Sequence, residues 1–179
     1  MAVLWQTLAF CDTPREVIDA GWVTPIRLKP YQILAWVSLT HRGLARLPHA
    51  TPRIPALLDT GHNHNFSLRE QHLTQSGLET PWPWSSSPLK VRDSSAVEHE
   101  VPRLLLDLWL HPDAAQPNDV AYPLRLGFRG AACYLAAGPV AGPHLPLLGL
   151  AALCAGSLTA EFQCNPSGGT VRLLVPAPP

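Results

Sequence analysis

Apolar positions along the chain alternate with polar ones or gather in short blocks, and helical spacing is scarce. Residues 3–10 and 22–40 hold β-leaning runs. The clearest is Ile33-Leu34-Ala35-Trp36-Val37-Ser38-Leu39-Thr40, which stops at His41-Arg42-Gly43. Short runs of this kind, bounded by turn residues, predict strands. Residues 52–58 form another apolar run that leads directly into Asp59-Thr60-Gly61. Residues 67–78 predict one or two helical turns, because Ser67 and Glu70 have capping-box spacing and Gly77 supplies a stop. Residues 80–88, rich in Pro, Ser and Trp, predict a loop. Leu89-Lys90-Val91 and residues 101–110 predict two strands, with the polar residues 92–100 between them. After a loop at 111–119, Leu124, Leu126 and Phe128 alternate with polar positions, and residues 132–136 continue as a strand. The tail predicts a hairpin, residues 158–164 and 170–175 joined through Asn165-Pro166-Ser167-Gly168-Gly169. No internal repeat is evident. The expectation is a mostly β domain with one or two short helices.

Composition sharpens this picture. Twenty prolines argue against long helices, since proline removes a backbone donor and clashes inside a helix. With 46% hydrophobic and 15% charged residues, the chain is too apolar for disorder. Thirteen basic residues balance thirteen acidic ones, which excludes a nucleic-acid binder that works by neutralising phosphates. The 179 residues suit a single domain spanning 1–179. The four cysteines, Cys11, Cys133, Cys154 and Cys164, show no C-x-x-C pair and read as free thiols of a cytoplasmic protein. Residues 1–10 are apolar but lack the basic start of a signal peptide, so they predict a strand. Residues 130–160 carry no Asp, Glu, Lys or Arg. Pro139, Pro143, His144 and Pro146 break that stretch into pieces too short to span a bilayer, so it predicts buried core and no membrane association.

The chemistry centres on Asp59. A carboxylate at the end of an apolar strand needs a reason, because burying a charge is costly. Asp-Thr-Gly alone is most simply a turn. Its surroundings say more. Leu57 and Leu58 precede the triplet, and His64-Asn65-Phe66 follows it. Much later comes a second aliphatic pair closed by glycine, Leu147-Leu148-Gly149, followed by Leu150 and a short apolar run.

Leu57-Leu58-Asp59-Thr60-Gly61 with His64-Asn65-Phe66 resembles the active-site strand and loop of retropepsin-like aspartic proteases, most closely the retrotransposon and cellular branch. Leu147-Leu148-Gly149-Leu150 resembles that family's second hallmark, two aliphatic residues and a glycine before a short helix. The resemblance covers roughly residues 33–175, with 1–32 as an N-terminal extension of strands and loop. It implies a closed β-barrel-like acid-protease fold that supplies one aspartate per chain. Aspartic proteolysis needs two carboxylates that share a proton, because like charges at about 3 Å cannot both ionise. Asp19-Ala20-Gly21 lacks the hydroxyl of the motif, Asp93-Ser94-Ser95 lacks its glycine, and the chain is too short for two lobes. The resemblance therefore implies a homodimer, with Asp59 from each subunit activating the water that attacks a peptide or protein substrate. Thr60 would bond across the dimer, Gly61 would allow close approach, and no metal or organic cofactor would be required.

Position 62 is usually small in that family and is histidine here. His62 implies either a narrowed cleft or lowered apparent pKa values of the dyad, and it motivates an alternative reading, a catalytically silent binding or scaffold domain. Asn63 and His64 fall where the family contacts the substrate backbone. Asp93, Ser94, Ser95 and Ala96 are the expected tip of a flap hairpin, although no glycine lies between Gly77 and Gly127. His62 and His64 alone do not make a zinc site without further ligands. Trp82 and Trp84 are expected to pack their loop down.

Overall fold

A computed structural model of the chain describes residues 2–19, 22–93, 95–112, 123–127 and 130–176. In chain order the elements are β1 (Ala2–Cys11), β2 (Arg15–Asp19), β3 (Trp22–Leu28), β4 (Ile33–His41), β5 (Ile54–Asp59), β6 (Phe66–Arg69), α1 (Glu70–Gln75), β7 (Leu89–Arg92), β8 (Glu98–Val101), β9 (Arg103–Leu104), β10 (Leu106–Leu110), β11 (Leu124–Leu126), β12 (Ala131–Tyr134), β13 (Leu147–Gly149), α2 (Leu150–Ala155), β14 (Thr159–Asn165) and β15 (Gly168–Pro176). The domain is mostly β with two short helices, as the apolar pattern predicts.

Eight strands form the main sheet in the order β11-β10-β4-β5-β13-β6-β12-β9. It curls into half a barrel, and its outer strands β11 and β9 do not pair with each other. β4 is buried on both faces. Ile33, Ala35, Val37 and Leu39 belong to the main core, while Leu34 and Trp36 meet Ile26 and Leu28 of the β2–β3 hairpin. Strand periodicity of two produces this split, with alternate side chains on opposite faces.

Residues 2–19 and 22–32 are woven into the domain. β1 pairs antiparallel with β15, which also pairs with β14, and Leu8 and Phe10 of β1 enter the main core. Residues 130–160 supply β12, β13, α2 and the start of β14, with Ala131, Cys133, Leu148 and Ala152 fully buried. No helix among the described residues is long and apolar enough to cross a membrane.

The centre of the sheet has a local two-fold pattern. β13 and β6 run antiparallel to each other, and each has a parallel partner on its other side, β5 for β13 and β12 for β6. β4 and β9 flank these antiparallel. Each central strand runs directly into a six-residue helix, β6 into α1 and β13 into α2.

The helix at 70–75 starts later than the sequence suggests. Ser67 is not its cap but a buried strand residue, paired with Leu147 on one side and Ala132 on the other. Two ladders outweigh a local capping signal. The cap is instead Arg69, whose N–H donates to His72 Nδ1 at 3.0 Å. Gly77, at φ 68°, follows the helix as expected.

His72 and His111 give the fold a sensitivity to acid. The Arg69 N–H occupies Nδ1 of His72, leaving Nε2 for the His144 carbonyl oxygen at 3.2 Å. Burial lowers its pKa to about 4. His111 Nε2 meets Ser38 Oγ at 2.8 Å, and burial followed by repulsion from Arg53 also takes it to about 4. In the unfolded chain both titrate near 6.5. Between those values the unfolded state binds more protons, so stability falls as the pH drops from about 6.5 towards about 4 and levels off below. Urea unfolding at pH 7 and pH 4.5 should show a lower midpoint in acid, and His72→Gln should reduce the difference.

Candidate active site

β5 delivers Asp59 to the end of the main sheet, where the apolar run stops and the chain turns. Asp59 is half-buried, and its Oδ1 accepts the Gly61 N–H at 2.9 Å. The His62 N–H donates to the Asp59 carbonyl oxygen at 3.3 Å, closing the turn. Thr60 is exposed and makes no hydrogen bond to the described residues. Among the described residues nothing requires glycine at 61, since an added Cβ would meet only Asp59 Oδ1, at an ordinary 3.5 Å.

Gly149 is different. In the parallel ladder of β5 and β13 it lies directly opposite Asp59, with Leu57 opposite Leu147 and Leu58 opposite Leu148. The loop after Asp59 crosses over it, and the Gly149 N–H donates to the Asn65 carbonyl oxygen at 3.0 Å. A Cβ at 149 would stand 2.1 Å from the His64 carbonyl oxygen and 2.9 Å from that of His62. The two motifs, far apart in sequence, therefore meet as neighbouring strands, and the glycine of the second is the surface over which the loop of the first passes.

His62 is tied back towards β6, with Nε2 2.9 Å from Ser67 Oγ. Burial and the neighbouring His64 lower its pKa, while Asp59 opposes them. The two imidazoles meet edge to face at 5.6 Å, and burial lowers His64 as well. Both rings are thus biased to the neutral form beside Asp59. Asn63 is exposed at the top of the same loop. Among the described residues no group of three or more His, Cys, Asp or Glu side chains gathers as a metal site would require.

Residues 89–101 form a hairpin of β7 and β8, with its return strand starting at Glu98 rather than after residue 100. A carboxylate shapes its tip in place of a glycine. Asp93 Oδ1 accepts the Ser95 and Val97 N–H groups at 2.8 and 3.0 Å, and Oδ2 meets His99 Nε2 at 2.9 Å. These bonds, led by that of His99, hold the Asp93 carboxyl below the usual carboxylate range. Ala96 takes the left-handed conformation at φ 61°. Ser94 lies outside the described residues, as does Phe128. In the preceding loop, Trp82 packs on the core, while Trp84 stays 42% exposed and meets it edge to face.

No known protein family, curated protein or solved structure shows a significant match to this chain. Its chemistry is read from the site alone. By the local two-fold of the sheet, the β12 position equivalent to Asp59 is Tyr134, paired with Arg69 as Asp59 is paired with Gly149. The other Asp-x-x triplets are occupied elsewhere: Asp19 pairs with Arg53 at 2.8 Å, and Asp93 holds the hairpin tip. One residue near the loop stands in no recognisable motif. Arg103 lines a cavity of about 320 Å³ beside Asn63, His64 and Asn65. The available signal was a lone cation entering the apolar run at 101–110.

Proposed function

We propose that the protein is an aspartic endopeptidase acting as a homodimer, with Asp59 of both subunits forming the catalytic dyad. The observation that carries this reading is the crossing at Gly149, which sets Asp59 on a turn braced by a second strand. One Asp59 is ionised and takes a proton from water, while its partner, kept neutral by the adjacent charge, protonates or polarises the scissile carbonyl. The pair titrates as a unit. The freedom of Thr60 and the tolerance of a Cβ at Gly61 within the subunit support assigning both residues to the contact between subunits. The β7–β8 hairpin is the proposed flap, and Asn63 and His64 the proposed contacts to the substrate backbone. The free cysteines fit a reducing cytosol.

The test combines solution mass with binding of a pepstatin-type inhibitor. A mass twice that of the chain, with inhibitor bound at one per dimer, is expected. A strict monomer that binds none would refute the reading.

A second reading is a silent binding domain whose cleft His62 obstructs, and it rests on the closeness of that imidazole to Asp59. His62→Ala separates the two. An enzyme with an open cleft should change its cleavage rate by less than about tenfold, because the side chain is drawn towards Ser67. A blocked cleft should instead show cleavage only in the variant, measured on a mixed peptide library.

A further inference from the structure

The cavity beside the Asp59 loop has one charged wall. Asn63, His64 and Asn65 form one side, Leu89 at the base of the hairpin another, and Gly130, Ala151 and Arg103 complete it. Arg103 is the only charged residue among them. Its stem is seated on Gly130, where an added Cβ would stand 2.8 Å from Arg103 Cγ and 2.9 Å from Cδ. Gly130 itself sits at φ +144°, a conformation that favours glycine, so backbone and side chain agree on leaving this space to the arginine.

The guanidinium is poorly compensated. Arg103 forms no ion pair among the described residues, and its buried Nε has no hydrogen-bond partner. Its one acceptor among the described residues, the Pro88 carbonyl oxygen, is at a long 3.4 Å from Nη2. Nε is sealed off and beyond a ligand's reach, so a ligand meets the exposed Nη end, for which a carboxylate is the best-matched acceptor. We propose that this cavity is a subsite for an acidic side chain of a bound peptide, with Arg103 recognising its carboxylate. The assignment rests on the protease reading for the nature of the ligand, because the walls are the loop after Asp59 and the base of the proposed flap.

The test uses the full chain carrying Asp59→Asn, so that peptides bind without being cut. Paired fluorescent peptides with Glu or Gln at each position in turn are titrated at pH 6.5 and read by anisotropy. Glu should bind about tenfold tighter than Gln at one position. Arg103→Met should abolish that difference, and Arg103→Lys should keep part of it. In the Arg103-containing protein the preference should fade as the pH drops through the peptide glutamate pKa of about 4.3. A subsite that selects by size would not show this. Equal binding of Glu and Gln at every position, binding of no peptide, or a preference that survives Arg103→Met would each overturn the proposal. Cleavage of the same peptides by the unsubstituted chain separates the two claims. Binding preference without cleavage sinks the protease reading alone, and cleavage without preference sinks the subsite alone.

Discussion

Asp59→Asn is expected to reduce peptide cleavage by at least about a thousandfold at acidic to near-neutral pH. In a homodimer the single substitution removes both members of the dyad, so no carboxylate remains to accept the proton from water. The fold should barely notice. Asp59 is half-buried at a strand end, and the one hydrogen bond of its carboxylate among the described residues, from the Gly61 N–H to Oδ1, is a bond that an asparagine oxygen also accepts. Unfolding free energy should change by less than about 1 kcal/mol. Mixed dimers of one unsubstituted and one Asp59→Asn subunit should be inactive too, and that outcome separates a shared dyad from two independent sites. Cleavage surviving in the substituted protein, with an unchanged fold, would end the aspartic mechanism. The acid sensitivity of His72 and His111 bears on the pH at which such assays are run, because dyad chemistry favours acid while the two neutral imidazoles resist it.

Gly149→Ala should produce the largest loss of stability. The new Cβ would fall on the carbonyl oxygens of His64 and His62, which belong to the backbone and cannot swing aside like the end of a long side chain. Either the loop lifts from β13, losing the bond from the Gly149 N–H to the Asn65 oxygen, or the parallel ladder of β5 and β13 parts. A cost of about 3 kcal/mol or more is expected, a fall in Tm of roughly 6–12 °C for a domain of this size. Differential scanning calorimetry measures it. Gly61→Ala is the matched control, since its nearest neighbour lies at 3.5 Å. It should unfold like the parent chain and, where two subunits meet at that loop, lose dimerisation and cleavage. Equal, small effects of both substitutions on Tm would contradict the crossing described here.

Much of the fold is legible without coordinates. Ile33 to Thr40 reads as a strand, and so does the run into Asp59, because β-formers between turn residues leave few alternatives. The closing hairpin is legible for the same reason, with Asn165 to Gly169 as its punctuation. Phe66-Ser67-Leu68 was misleading. Its Ser-x-x-Glu spacing predicts a helix start, yet pairing on both sides holds it as a strand. The turn between β7 and β8 was legible in position but not in means. A missing glycine there is compensated by three bonds to Asp93, one of them from a residue on the returning strand.

The amino-acid sequence by itself determined the mostly β character, the strand that carries Asp59 and the presence of an acidic motif and an aliphatic-glycine one. Those features depend on neighbours within a few residues, where propensity, periodicity and turn chemistry act. Only the tertiary structure decided that Gly149 lies opposite Asp59, that the sheet repeats about a local two-fold without any repeat in sequence, and that Arg103 lies beside the Asp59 loop with no ion pair among the described residues. Each of these depends on which distant strands share a ladder and which loops a side chain comes to lie between, and such non-local relations leave no periodic trace along the chain.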